Sequence, residues 1–216
     1  MSFPRWLFFV VISVGCTIGG VSSARAQIDE VTARAYEKSR QQEAVGAYAA
    51  AVAAMQSATP DSQQTYPFAV RMGWLMFQAG NHEASIGFFR RALSLGPASI
   101  EARMQMMLPL MAAKRFADAE TIAAEVLQVD RHNLAVRTRL AKIQYGTSHF
   151  SEAAATFHDI LVDYPADVDV AAGYAWALLK MNRTEEAYGV FRNVLTVAPS
   201  NVSAQEGYRL ATTGQR

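Results

Sequence analysis

The chain has 216 residues, a single cysteine and a formal net charge of +1, with 20 basic residues against 19 acidic ones. This near-neutral balance gives no sign of the basic face that nucleic-acid binding requires, so no nucleic-acid partner is expected. A lone cysteine excludes an internal disulfide framework, and about 190 residues are enough for a core held by packing alone.

Residues 1–26 read as a targeting segment rather than as part of the fold. Arg5 supplies a short positive region and Trp6 to Ile18 an apolar run, and Ala24-Arg25-Ala26 offers the small-x-small pattern that signal peptidase cleaves. Cleavage before Gln27 would give a periplasmic or secreted protein without Cys16. Loss of Arg5 and Arg25 would bring its net charge to about −1. Two alternatives compete. A helix over Trp6 to Ile18 reaches only about 20 Å against a hydrocarbon core of about 30 Å, so an uncleaved anchor would be strained. Lipid attachment at Cys16 calls for an aliphatic residue three places earlier, where Ser13 stands.

The ordered part begins near Ile28, with Asp29 and Glu30 suited to a helix start. Residues 27–65 read as a degenerate first unit whose second helix, Ala47 to Ala54, has little bulk to bury and should pack loosely. Its polar exit, Ser57 to Thr65, is the expected flexible point. Four helical hairpins follow, at 66–99, 100–133, 134–167 and 168–201. Their inner turns fall at Gly80-Asn81, Lys114-Arg115, Gly146 to His149 and Asn182. Gly96-Pro97, Pro165 and Pro199 end second helices, since proline cannot continue one. Residues 202–216 read as an amphipathic capping helix, Val202 to Thr212, followed by a disordered tail, Gly214 to Arg216.

The hairpins repeat at a fixed interval of 34 residues. Leu93, Leu127, Leu161 and Leu195 recur at that spacing, as do Ser85, Ala119, Ala153 and Ala187. Phe89, Phe157 and Phe191 fall in phase with Ala123, and Pro97, Pro165 and Pro199 with Arg131. A fixed period of this length marks a stacked helical array.

On these residues the chain resembles the tetratricopeptide-repeat family, over roughly 66–201. Small residues stand at the eighth position in Gly73, Ala141 and Ala175, and at the twentieth in Ser85, Ala119, Ala153 and Ala187. These positions face each other where the helices of a hairpin cross, so large side chains would push the axes apart. Bulky residues at the twenty-fourth position plug the gap to the next hairpin. The resemblance implies an all-α, right-handed superhelical solenoid of helix-turn-helix repeats with a C-terminal cap. The departures concentrate in 100–133, where Met107 replaces a small residue, Ala123 a bulky one and Arg131 the proline. Gln144 takes a place usually held by a large side chain, and Ala69, Arg103, Arg137 and Ala171 replace the aromatic start of the first helix.

No constellation points to catalysis, a cofactor or a metal. His82, His132, His149 and His158 lack ligand spacing, and Glu185-Glu186 and Asp159/Asp163 read as solvated charge. What remains is the inner surface. The resemblance implies that the second, fifth, ninth, twelfth and thirteenth residues of each first helix face inward. Those places hold Val70, Trp74, Phe77 and Gln78, then Met104, Leu108 and Met111, then Thr138, Lys142 and Tyr145, and lastly Ala172, Trp176, Leu179 and Lys180. Arg71 and Arg139 flank this stripe and add positive charge. Superhelix closure, folding over of the first unit or a second copy would bury the stripe; otherwise it receives a protein or peptide segment. The expected function is therefore a non-catalytic scaffold or adaptor of the bacterial cell envelope. A self-assembling oligomer and an accessory subunit of an envelope enzyme or export complex are the alternatives.

Overall fold

The computed structural model describes residues 29–213. The expected signal segment 1–26, the expected cleavage before Gln27 and the tail 214–216 lie outside the described residues. Twelve helices are present among the described residues: α1 (Glu30–Ala44), α2 (Tyr48–Gln56), α3 (Pro60–Gln63), α4 (Tyr66–Gln78), α5 (His82–Leu95), α6 (Ile100–Ala112), α7 (Phe116–Val129), α8 (Leu134–Gly146), α9 (Phe150–Asp163), α10 (Val168–Lys180), α11 (Thr184–Val197) and α12 (Val202–Thr213). Helices α4, α6, α8, α10 and α12 each touch the next in that row, whereas α5, α7, α9 and α11 make no comparable contact with one another. The stack is therefore a solenoid curved with the first helices inside.

One backbone turn repeats through the stack. Gly46, Gly80, Lys114, Ser148 and Asn182, each 34 residues from the next, all have positive φ, between 58° and 78°. In each turn that residue's N–H closes on a carbonyl three residues back, and the next N–H reaches the carbonyl five back, as in Asn81 to Met76 and Arg183 to Leu178. This satisfies carbonyls left free at a helix C-terminus. Two of the five are glycines, which adopt positive φ without strain; Lys114 and Ser148 do so at a cost.

Packing inside the hairpins rests on the small residues. Ser85, Ala119, Ala153 and Ala187 are fully buried, as are Ala141 and Ala175, and Ser85 Oγ donates to the Gly73 carbonyl at 2.7 Å across the first crossing. Phe157 and Phe191 plug forward onto Gly173 and Gly207 of the following helix, where a Cβ would lie 2.7 and 2.1 Å from the rings. Phe89 instead rests on Gly73 of its own hairpin, because the forward position is Gln105. In the irregular unit, Met107 and Ala123 are both fully buried in one cluster, the long side chain compensating for the short one.

The N-terminal unit is tighter than its composition suggests. Ala51, Ala54 and Met55 of α2 are buried, and Ala51 and Met55 share a cluster with Phe68, Met72 and Leu75 of α4; the alanines allow close approach and α4 supplies the bulk. The connection 57–65 is tied down rather than loose. Thr59 Oγ1 donates to Asp29 at 2.6 Å, Gln63 Nε2 to the Ala58 carbonyl at 2.9 Å and Arg91 to the Gln63 carbonyl at 2.6 Å.

Candidate partner-binding groove

The inner row of first helices carries two clefts. The N-terminal one, about 480 Å³, lies among Tyr66, Val70, Arg71, Trp74, Glu101 and Gln105. The C-terminal one, about 510 Å³, lies among Lys142, Tyr145, Asp169, Ala172, Trp176 and Ser203, with Phe157 and Gly173 completing it. The structure thus brings Val70, Arg71 and Trp74 together at one end and Lys142, Tyr145, Ala172 and Trp176 at the other. Met104, Leu108 and Met111 line neither cleft; Met104 and Met111 pack on the central core. Phe77 stacks obliquely between Trp74, 6.2 Å away, and His82, 5.7 Å away. Gln78, Thr138 and Leu179 are half-buried, Lys180 is exposed, and Ala172 is buried beneath the groove surface.

The positive path along the groove contracts to its C-terminal half. Arg71 is neutralised: Nη1 donates to Glu43 Oε2 at 2.6 Å and Nη2 to Ser39 Oγ at 2.9 Å. Trp74 Nε1 donates to the other Glu43 oxygen, also at 2.6 Å. Burial pushes the Glu43 carboxyl up, but the bonds from Trp74 and Arg71 outweigh it and hold it below its ordinary value. Arg139 turns into the stack and donates to the Met104 carbonyl at 2.6 Å, and burial lowers its pKa. Pro109 stands in the same helix as that carbonyl and withdraws an N–H from the hydrogen-bond row of α6. Lys142 and Lys180 are exposed and have no carboxylate within ion-pair distance among the described residues.

The two tryptophans share a register but not an environment. Trp176 packs edge-on to Phe191 at 5.5 Å and donates Nε1 to Ser203 Oγ of α12 at 2.9 Å. Tyr145 meets Phe150 edge-on at 5.4 Å, and burial raises its hydroxyl pKa. Asp169, opposite, accepts from Asn201 at 3.4 Å and lies in the first turn of α10, where the helix dipole offsets its charge.

Glu43, Glu101, Asp169 and Ser203 were absent from the inner-face residues named from the sequence. Glu101, Asp169 and Ser203 are second residues of their units, an inward position that the repeat rule already contains. Glu43 is the twelfth residue of the degenerate unit counted from 32. Elsewhere His132 lies 3.4 Å from Asp163 and His158 packs on Tyr174. Among the described residues no three His, Cys, Asp or Glu side chains converge as a metal site, and no helix is long and apolar enough to cross a membrane.

The family model of the tetratricopeptide repeat matches residues 110–167. Among curated proteins nothing matches. Solved structures align over most of the chain. MamA from Desulfovibrio magneticus RS-1 (residues 41 to its end) superposes with a TM-score of 0.72 at 13% identity, covering 80% of this chain and 98% of that one. YrrB, a TPR protein with an unusual peptide-binding site, gives 0.66 at 12% identity over 81% and 90%. TTC0263, a thermophilic TPR protein of Thermus thermophilus, gives 0.62 at 15% identity over 84% and 99%. At these identities the likeness is one of fold.

Proposed function

We propose that this chain, a stack of tetratricopeptide-like repeats, is an exported, non-catalytic scaffold of the cell envelope. It binds an extended segment of another protein along the row α4, α6, α8, α10. The observation that carries this reading is the C-terminal cleft. Tyr145 and Trp176 wall a space of about 510 Å³ beside exposed Lys142, on a surface whose other large apolar side chains are only half-buried. Rigid aromatics around a concave, partly apolar space are typical of contact sites for partner segments. Free lysines at one end give the site a direction: the acidic part of the segment lies toward α8 and α10. YrrB, whose fold this chain shares, is itself a peptide-binding TPR protein, in keeping with this use of the groove. Export rests on Arg5, the apolar run and Ala24-Arg25-Ala26.

A photo-crosslinking side chain placed at 142 or 180 tests the binding, against the same group at the exposed positions 124 and 162 as controls. Adducts with one discrete protein from the inner positions alone are expected. Equal labelling from both sets, or none from 142 and 180, removes the groove reading. Mass spectrometry of the mature protein tests export, the expected first residue being Gln27.

A further inference from the structure

Away from the inner groove, a seam runs between the start of each first helix and the end of the second helix that follows it. In most of the stack a long polar side chain fills this space. In unit 100–133, Arg103 is the fourth residue; its Nη1 donates to the carbonyls of Pro97 and Ser99 at 2.6 and 3.2 Å, and its Nε to Glu125 at 2.7 Å. In unit 134–167, Arg137 holds the same register and donates to Asp163 at 2.5 Å. In unit 66–99 the fourth residue is buried Ala69, and Arg91 of the facing helix takes over, bonding to the Gln63 carbonyl and Gln64 Oε1 at 2.6 Å. In α12 the fourth residue is Gln205, whose Nε2 donates to the Pro199 carbonyl at 2.7 Å.

Unit 168–201 breaks the series. Its fourth residue is Ala171, and Asn193 stands in the register of Arg91 and Glu125. The space left is an open cleft of about 740 Å³ with apolar walls, Leu161, Val168, Val194 and Val197 among them. Val197 is 72% exposed. The Pro165 carbonyl, counterpart of the Pro97 and Pro199 carbonyls, receives no side-chain donor among the described residues. Asn193, which lines the cleft, holds the register of Glu125, whose carboxylate accepts from Arg103. The Asp167 carboxylate already caps α10, accepting from the N–H groups of Asp169 and Val170.

We propose that this cleft is a docking site for an arginine that a partner protein presents between apolar residues. The partner's guanidinium donates to the Pro165 carbonyl and the Asn193 amide oxygen, supplying from outside what Arg103 supplies within its own unit. Its aliphatic stem lies along Val168 and Val194, and the flanking apolar residues cover Val197. An aromatic ring would fit the walls but leave the carbonyl unpaired, which favours arginine. The site shares no residue with the inner groove, so either can fail without the other.

The test is a titration of the isotope-labelled protein with acetyl-Leu-Arg-Leu-amide, followed by amide shifts, with phenylalanine and glutamate peptides as counterparts. Only the arginine peptide should move the amides of 166–171 and 194–198, while those of 70–78 and 138–146 stay in place. Ala171→Arg, which restores the missing side chain in register, should weaken that binding at least tenfold, and Ala171→Gln, copying Gln205, should weaken it in part. Equal shifts from the phenylalanine peptide, no shift at all, or undiminished binding by folded Ala171→Arg would overturn the proposal. An Ala171→Arg protein that cannot fold would overturn it too, since the space would then not be equivalent to that around Arg103.

Discussion

Trp74 and Glu43 are joined at 2.6 Å, indole to carboxylate, across 31 residues of chain. With Arg71 on the other oxygen, one carboxylate of α1 takes two donors from α4. Trp176, three periods later, bonds to the neutral Ser203 instead. The two rings therefore differ in what their loss removes. Trp74→Ala is expected to destabilise the N-terminal unit by about 1–3 kcal/mol, through lost packing and a charge left with one partner. Hydrogen exchange should quicken in α1 and α2 and stay unchanged in α10 to α12. Unchanged exchange in α1 would show that the bond contributes nothing.

Acid should loosen the same unit first. Hydrogen bonds from Thr59 and Thr32 hold the Asp29 carboxyl well below its ordinary value, and Glu43 is also lowered. A carboxyl whose folded pKa lies below its unfolded one stabilises fully above the unfolded value, about 4, and loses that contribution as pH falls further. Between about pH 5 and 7 exchange in α1 should be flat once corrected for intrinsic rates, and below about pH 4 it should rise. Asp29→Asn should raise α1 exchange at about pH 7 and flatten its acid dependence; a variant with the wild-type profile would rule out Asp29 as the cause.

The repeated turn offers a gain in stability. Lys114 and Ser148 sit at φ 58° and 66° in the register that Gly46 and Gly80 occupy. A non-glycine residue there carries roughly 1–2 kcal/mol of strain, against roughly 0.5–1 kcal/mol of extra unfolded-state entropy for glycine. Ser148→Gly should therefore stabilise by up to about 1 kcal/mol, seen as a higher urea midpoint with an unchanged slope. A lower midpoint would mean that the Ser148 side chain has contacts that outweigh the strain.

The array was legible because its determinants are local and periodic: small residues at crossings, proline after second helices, one leucine per turn of the repeat. The resemblance already implied that Ala153 and Ala187 stand at crossings. The charge pattern of the groove could not be, because the partner of Arg71 is Glu43, in the unit where the repeat is weakest. The connection 57–65 looked loose for a similar reason. Its polar residues, Thr59 and Ser62, bond to Asp29 thirty or more residues upstream, and sequence shows polarity but not the pairing. Alanine content misled about α2, since the bulk that fills its surroundings belongs to Phe68 and Met72 of α4.

The ring-to-glycine contacts make a coupled pair. A Cβ at position 207 would fall 2.1 Å from the Phe191 ring, closer than any relaxed contact. Gly207→Ala should cost about 1–3 kcal/mol by overpacking, although alanine is the better helix former. Phe191→Leu alone should also destabilise, through lost volume. The double variant should lose less than the sum of the two, a coupling of about 0.5 kcal/mol or more in thermal or urea unfolding. Strict additivity would mean that α12 simply moves away from the ring.

The C-terminal cleft should hold most of the partner's binding energy. A few anchors dominate such interfaces, with tryptophan and tyrosine enriched among them, and truncating one typically costs about 2 kcal/mol or more. Trp176 and Tyr145 share the cleft with Lys142, whereas Trp74 is already engaged by Glu43 and Arg71 is already neutralised. Trp176→Ala is expected to weaken binding of the cross-linked partner at least tenfold. Its far-ultraviolet circular dichroism should stay unchanged, because the half-buried indole packs at the margin of the C-terminal core beside Phe191 and bonds to Ser203 without filling a fully buried site. Lys142→Glu should weaken binding too, with a smaller penalty at high salt, since an exposed charge is screened over about 10 Å at 0.1 M ionic strength. Lys142→Gln should fall between wild type and Lys142→Glu. If Trp74→Ala, assayed at a temperature where it remains folded, costs more affinity than Trp176→Ala, the anchor lies at the other end of the groove. If all these variants bind as wild type does, the inner face is not the contact surface.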